Sequence, residues 1–561
     1  MNDIPSFLRP DIKVQFQGNT HLVPRGKLLH EFLEEQGGSK QAEFLAAIVN
    51  NRLYGRSYPL RSDCKVTPVT RSDRLGWDVY RRSACLVLYE AARRVDPDLS
   101  LVLSQTVGDG YYFYSKTTES IPEETVRRLF EEMQRLTRED LPFQVRSMSV
   151  TEARKLFSEA GQHDKVHLLS THWEPKVRVV WCGGFFDLFH TPVAYSTGAL
   201  SRFRLEPYEP GMVLRFPRRG YNDIQGELVH QPKLFATYQE ARQWNQILGV
   251  SSIGELNELN LSGDIDGLVL ASEGLHEKKI ASIADEIHAK RDQVRIVLIA
   301  GPSSSGKTTF SKRLGVQLRV NGIRPVTLST DDFFVERSRT PRDEKGKLDF
   351  ENIDALDLDL LGEVLDGLMQ GREVATPVFD FQAGKPKPKE QWRRLKLADD
   401  QVLVIEGIHG LNDRLTASVP PAAKFKIYIS ALTQICIDDH NRIFTSDTRL
   451  LRRIVRDRRY RGYSAMDTIT RWPSVRRGEN RNIFPYQEQA DVMFNSALVY
   501  EHAVIKPFAE RYLLEVPQDH PAFSEAYRLL RFLRLILPVF RDSVPPNSIL
   551  REFVGQSVFR Y

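Results

Sequence analysis

The second half of this chain predicts an α/β fold built on an open, doubly wound parallel sheet. Three observations carry that prediction. From Arg295 onward, RIVLIA, PVTLS, VLVIEG and KFKIYIS are continuous apolar runs bounded by turns, as suits strands buried on both faces of a parallel sheet. Helical segments lie between them, the alternation that produces such a sheet. Between the first strand and the first helix, residues 301–308, GPSSSGKT, match the phosphate-loop pattern G-x-x-x-x-G-K-[ST] in full.

Ahead of this half, residues 1–70 form a first unit that reads, from 11 on, as short strands around one helix. DIKVQFQG alternates as a strand and Gly18-Asn19 signals a turn. Leu28, Leu29, Phe32 and Leu33 fall at helical spacing, with Gly37-Gly38 as the stop. FLAAIVN gives another apolar strand, turned by Asn50-Asn51. A second unit, 71–205, contains the long run YRRSACLVLYEAARRVDPDLSL, the aromatic strand DGYYFY and the loop segment WCGGFFDLFHTPVAYSTGAL. Residues 206–285 connect the halves through a helix-like stretch at 236–248, and an acidic helix at 273–291 leads into the next unit. The phosphate-loop unit is placed at 286–515, and a C-terminal helix and tail at 516–561. At about 150 residues per domain, a chain of this length holds three or four units.

Composition narrows the function classes. Hydrophobic residues make up 41% and charged residues 27%, ordinary for a globular protein. A net charge of +5 does not by itself call for nucleic acid. Cys64, Cys85, Cys182 and Cys436 lack zinc-knuckle or redox spacing and fit a reducing compartment. MNDIPSFLRP lacks the charged start and apolar run of a signal peptide, and the apolar runs fall far short of the roughly 20 residues that span a bilayer. The expected location is the cytoplasm, with no membrane partner and a homo-oligomer left open.

In the phosphate loop, Gly301 and Gly306 let the backbone curl so that its N–H groups point at phosphate oxygens, and the helix N-terminus adds partial positive charge. Ser303, Ser304, Ser305 and Thr309 complete the cradle; Lys307 reaches terminal phosphates and the Thr308 hydroxyl can bind Mg²⁺. A bare phosphate loop says nucleotide binding and nothing about the acceptor. Asp331 and Asp332 follow the second strand, at the edge where open α/β sheets bind ligands. A carboxylate there takes a proton from a hydroxyl or holds metal, although Asp also caps helices. Glu406 ends VLVIEG on a neighbouring strand and is the expected second carboxylate near Mg²⁺. Residues 442–481 carry twelve arginines, no lysine and four acids. Arg449, Arg452, Arg453 and Arg456 share one helical face, a stripe of about 10 Å. Read alone, it suits a polyphosphate, an RNA-binding helix or a solvated face.

GPSSSGKTT, DDFF, FENIDALD, TPVFDF, VIEGI, DTRLLRRIVRD and ADVMF occur in the order seen in uridine kinases. Over about 295–500 the chain resembles the uridine kinase and phosphoribulokinase family, whose fold is a phosphate-loop kinase. The resemblance implies ATP and Mg²⁺ as cofactors, with Lys307 and Thr308 binding both. It implies Asp331 as the general base for a nucleoside 5′-hydroxyl, Glu406 at the metal, and Arg449, Arg452 and Arg456 as a lid over phosphates and ribose. Glu351 and Asp354 fall in the segment that holds ribose hydroxyls in the family. Phe379 and Phe381 alternate on an extended stretch and can stack a base. The chain departs from the family where a Tyr and a His read the pyrimidine ring: it has Phe379 and Gly384, followed by Lys385-Pro386-Lys387-Pro388-Lys389. A lysine-rich loop there also suits an already phosphorylated sugar.

The first unit resembles the β-grasp TGS domain at the start of threonyl-tRNA synthetases, and 71–205 resembles their α+β second additional, or editing, domain. The editing family's two His on the helix, and the later Cys and His, correspond here to Arg82, Leu86, Cys182 and Phe186, with His190 nearby. Neither zinc nor editing chemistry is expected, and Cys182 reads as a core cysteine. The front half is therefore a binding or regulatory module, with RNA contact as one role. Two functions follow: a nucleoside kinase with an appended regulatory region, or an RNA- or ribosome-associated ATPase switch.

Overall fold

A computed structural model describes residues 10–36, 43–344, 346, 348–380 and 383–560. The first unit is a five-stranded sheet with one helix: β1 (Asp11–Phe16), β2 (Asn19–Pro24), α1 (Leu29–Gln36), β3 (Phe44–Val49), β4 (Arg52–Gly55) and β5 (Cys64–Thr70), in the order β2-β1-β5-β3-β4. β1 and β5 run parallel and the other pairs antiparallel, which is the β-grasp arrangement expected from the sequence. Its hairpins turn on Gln17-Gly18 and Asn50-Asn51, all at positive φ, as the tight turns that match strand twist require. The predicted stop at Gly37-Gly38 lies outside the described residues.

The second unit begins with the long helix α2 (Arg74–Val95), then β6 (Leu101–Val107), β7 (Gly110–Ser115), α3 (Glu123–Glu139), β8 (Gln144–Ser149), α4 (Val150–Glu159) and α5 (His163–Ser170). β9 (Lys176–Cys182) and β10 (Phe185–Leu188) form a hairpin, and β11 (Arg204–Tyr208) and β12 (Gly211–Arg215) another. A four-stranded sheet in the order β11-β12-β7-β6 packs with α2 and α3, and β10-β9-β8 forms a smaller one. Because β12 pairs with β7, this unit runs to Arg215, beyond the break at 205 read from sequence. The connecting region is wholly helical in its later part: α6 (Pro232–Ile247), α7 (Ile253–Ser262) and α8 (Ile265–Ala289). Capping boxes at Ser149 with Glu152 and Ser252 with Glu255 fix the starts of α4 and α7.

The third layer system holds β13 (Ile296–Ala300), α9 (Lys307–Val320), β14 (Arg324–Ser329), α10 (Leu358–Met369), the short strands β15 (Val374–Thr376), β16 (Phe379–Asp380), β17 (Lys385–Pro386) and β18 (Arg393–Leu395), then β19 (Gln401–Glu406) and β20 (Lys424–Ser430). After the small hairpin of β21 (Cys436–Asp438) and β22 (Asn441–Arg442) come α11 (Thr445–Tyr460), α12 (Ala465–Asn482), β23 (Val492–Asn495), α13 (Glu501–Leu514), α14 (Phe523–Leu533) and α15 (Arg551–Val554). The main sheet has the order β14-β19-β13-β20-β23, parallel throughout. β13 is buried at all five positions because helices cover both faces. The core under α11 is shared between halves: Leu450, Leu451, Ile454 and Val455 pack in one cluster with Leu168 and Val179 of the second unit and Leu529 of α14. No described helix is long and apolar enough to cross a membrane.

Candidate active site

Lys307 opens α9, so the loop before it curls at the carboxyl end of β13. Ser304 and Gly306 adopt positive φ, 59° and 85°, which turns successive N–H groups toward one concavity. The Ser304 and Ser305 hydroxyls are buried there without a hydrogen-bond partner among the described residues. Unmet donors of this kind fit an anionic ligand. The loop is closed on itself. Lys307 Nζ donates to the carbonyls of Gly301 (3.0 Å) and Pro302 (3.3 Å), and Thr308 Oγ1 donates to Glu406 Oε1 at 2.8 Å. Burial lowers the Lys307 ammonium, opposed by Glu406 and Asp331. Burial pushes the Glu406 carboxyl up to about 7, opposed by Lys307.

Parallel pairing aligns Ser329 of β14 with Glu406 of β19, so Asp331, two residues on, stands at the same edge as Glu406. Desolvation raises the Asp331 carboxyl, opposed by Lys307 and Arg461; its side chain also reaches solvent, which limits the effect. Ser329 Oγ caps this turn by accepting from Asp331 N at 3.2 Å. Asp332, the other half of the pair, accepts from Phe379 N at 3.3 Å and so ties β16 to the turn. Glu351 is half-buried with an unpartnered Oε2; burial and then Glu479 push its carboxyl up to about 7. Phe379 is buried edge-on to Phe334, centroids 5.8 Å apart. Gly384 has φ +69° and leaves no room for a side chain: a Cβ would lie 2.3 Å from Arg337 Nε.

Several placements differ from the sequence reading. Arg449 and Arg452 do not form a lid, because both are buried beneath the loop. Arg449 Nε donates to the Ser303 carbonyl at 2.9 Å and its guanidinium pairs with buried Glu479. Every nitrogen of Arg452 is taken, by Glu501, by Ser496 and by the carbonyls of Ser304 and Ser305. On a two-sided helix, the arginines nearest the core found acids and carbonyls there instead of solvent. Arg453 Nη1 donates to Ser303 Oγ at 2.9 Å. Arg456, lowered to about 10 by burial and then by Arg461, faces the Lys307 and Asp331 side. Asp354 is exposed and pairs with Arg414 at 2.7 Å. Phe381 lies outside the described residues.

The sequence reading missed Glu552. Its carboxylate accepts from Thr309 Oγ1 at 2.8 Å and from Thr309 N at 3.4 Å, in the first turn of α9. Neighbouring Ile549 and Phe553 are fully buried, and a Cβ on Gly306 would meet Ile549 Cγ2 at 2.5 Å. The tail thus lies against the phosphate loop, a placement with no local sequence signal.

In the second unit, Arg82 pairs with buried Asp187 and Leu86 is core. Cys182 is fully buried, and burial pushes its thiol up to about 12. Asp187, Asp438 and His440 come close enough to hold a metal ion, but the buried Lys165 ammonium lies among them, 3.4 Å from Asp187, 3.6 Å from Asp438 and 3.1 Å from His440.

Fold and site together define a phosphate-loop α/β unit with paired carboxylates at the strand ends. Residues 296–501 match the Phosphoribulokinase / Uridine kinase family. The chain is 28% identical over 199 residues to the uridine kinase of Brevibacillus brevis, covering 35% of this chain and 83% of that enzyme. Its N-terminal region is similar to threonine–tRNA ligases. With that of Desulforamulus reducens the identity is 32% over 173 residues, covering 30% of this chain and 27% of the ligase. The chain therefore spans about a quarter of the length of such ligases. A solved structure described as a possible uridine kinase from Bacillus stearothermophilus is 19% identical with a TM-score of 0.24, covering 37% of this chain and 99% of that one.

Proposed function

We propose that this protein is an ATP-dependent kinase whose acceptor is the 5′-hydroxyl of a ribonucleoside, uridine or cytidine first. One observation carries the reading: Lys307, the Thr308–Glu406 pair and Asp331 converge at the carboxyl edge of one parallel sheet. The unmet Ser304 and Ser305 hydroxyls and the curled backbone fit a polyphosphate. Thr308, Asp331 and Glu406 offer hard oxygens that would hold Mg²⁺, which when bound supplies charge neutralisation at phosphate oxygens.

Lys307 exchanges the carbonyls of its own loop for terminal phosphate oxygens. Asp331 accepts the proton of the acceptor hydroxyl as that oxygen bonds to the γ-phosphorus and the bond to the β-phosphate oxygen breaks. Arg453 and Arg456 supply positive charge beside the loop, while Arg449 and Arg452 are positioning residues that hold its carbonyls. Thr309's donors serve a phosphate only once Glu552 gives them up. Glu351, with its unpartnered oxygen, suits a ribose hydroxyl. Phe379 and Phe334 offer an apolar wall for a base. With Gly384 in place of a ring-reading His, bases are poorly discriminated.

A phosphorylated sugar is the second reading, favoured by Arg337 lying against Gly384 and Lys385 beside it. Likeness to threonine–tRNA ligases supports an RNA contact through the N-terminal region. The test is a panel of nucleosides and sugar phosphates with ATP and Mg²⁺, read by phosphorylated product. Product from several nucleosides supports the first reading. Product from a sugar phosphate alone overturns it, as does ATP turnover that answers only to RNA.

A further inference from the structure

A second cavity, of about 400 Å³, lies away from the phosphate loop where α2, the β9–β10 hairpin, the start of α11 and α14 meet. Its volume is that of small-molecule sites. Its walls carry an excess of cations. Arg528 is satisfied by Asp447 at 2.6 and 2.8 Å, and Arg82 by Asp187. Arg178 of β9 and Arg531 of α14 both line it, and neither has an ion pair with a carboxylate among the described residues. Burial, followed by the charge of Arg531, lowers the Arg178 guanidinium, opposed by the Glu174 carboxylate. His172 adds a buried Nε2 without a partner, on an imidazole that burial keeps toward its neutral form.

Two guanidiniums that line one cavity and have no ion pair of their own can each meet a phosphate with paired N–H donors. The same walls offer flat apolar surface. Phe189 lies under Arg178 at 4.5 Å, and Trp173 stands at the rim, 69% exposed. An exposed tryptophan beside a cationic cavity suits stacking of a planar ring.

We infer that this cavity between the second unit and the C-terminal helices binds a nucleoside phosphate, with Arg178 and Arg531 on the phosphate and Trp173 or Phe189 on the base. The site is separate from the proposed kinase centre and does not depend on that reading.

The test uses the full chain carrying Lys307→Ala, to weaken nucleotide binding at the phosphate loop. Calorimetric titration covers the nucleoside monophosphates, uridine, inorganic phosphate and a short single-stranded RNA. At least one monophosphate is expected to bind. Arg178→Gln with Arg531→Gln should weaken it at least tenfold, without lowering the melting temperature by more than a few degrees. If the double variant unfolds, Arg531→Gln alone is used, together with quenching of Trp173 emission, measured against Trp173→Phe. Trp173→Leu should weaken the monophosphate and leave inorganic phosphate unchanged. No binding by any monophosphate, binding indifferent to both arginines, phosphate binding as well as the nucleotides, or binding by RNA alone would each overturn the inference.

Discussion

Glu552 occupies donors that the proposed function gives to a nucleotide, so its removal is the most informative perturbation of the phosphate loop. The carboxylate holds Thr309 Oγ1 at 2.8 Å and lies 3.4 Å from Thr309 N, at the positive end of α9. A hydrogen bond to a charged acceptor contributes about 1.5–3 kcal/mol. Displacing Glu552 loses one good bond of this kind and one long one, partly regained in water, so about 2 kcal/mol opposes nucleotide entry. At 1.4 kcal/mol per decade that is a factor of about 30 in affinity. If the carboxylate stayed in place, repulsion from a phosphate oxygen about 5 Å away would cost about 3 kcal/mol at an effective dielectric of 20. Glu552→Ala should therefore tighten ATP binding about 10- to 100-fold. Glu552→Gln should do so less, because its carbonyl still accepts from Thr309. The assay is equilibrium titration of ATP into the full chain, with melting temperature as a control on folding. If Glu552→Ala keeps its stability and binds ATP no better than the parent, the carboxylate does not compete with phosphate and the reasoning fails.

Lys307→Ala should abolish phosphoryl transfer, and Asp331→Asn should keep ATP binding while lowering turnover about 10²- to 10⁴-fold; normal turnover for Asp331→Asn with a loss for Asp332→Asn would reverse the two roles. Arg452→Met should destabilise by about 3–5 kcal/mol in denaturant titration, because Glu501 is left buried and unpaired. Replacing Arg452 and Glu501 together by apolar residues should recover much of that loss. Glu406, raised to about 7, should be protonated below that pH, so the Mg²⁺ concentration for half-maximal activity should rise about tenfold from pH 8 to pH 6. In the same group the folded state holds a proton that the unfolded state releases above about 4.5, so its contribution to stability falls as pH rises from there to about 7. The melting-temperature advantage of Glu406→Gln should accordingly be larger at pH 8 than at pH 5. Elemental analysis should find no stoichiometric zinc, because Lys165 lies within 3.6 Å of Asp187, Asp438 and His440; a tightly held zinc lost on Cys182→Ala would overturn this.

The sequence by itself determined whatever rests on local pattern. Four apolar runs became parallel strands, and the central β13 is buried throughout because the sheet is covered on both faces, while the edge strand β14 is only partly buried. GPSSSGKT became a loop at a helix start, because its glycines and its lysine are dictated by neighbours within a few residues. Asp331 and Glu406 were placed at one sheet edge by strand ends alone. The turn at Asn50-Asn51 follows from residues that tolerate positive φ, whereas the turn read at Gly18-Asn19 falls one residue earlier, on Gln17-Gly18. What the sequence did not determine is which way the arginine stripe faces. Spacing puts Arg449, Arg452 and Arg456 on one side of α11, but only the tertiary structure supplies Glu479 and Glu501, 30 and 49 residues further on, that draw two of them inward. Asp354 shares a motif with Glu351 yet is exposed and pairs with Arg414, because Ile353 and Ala355 on either side of it take the buried positions of that turn. Glu552 reaches Thr309 across 243 residues of chain, and the Arg178–Arg531 cavity exists only where the second unit and the last helices share a core. Such contacts are set by long-range packing, whose partners leave no periodicity or spacing in the sequence to read.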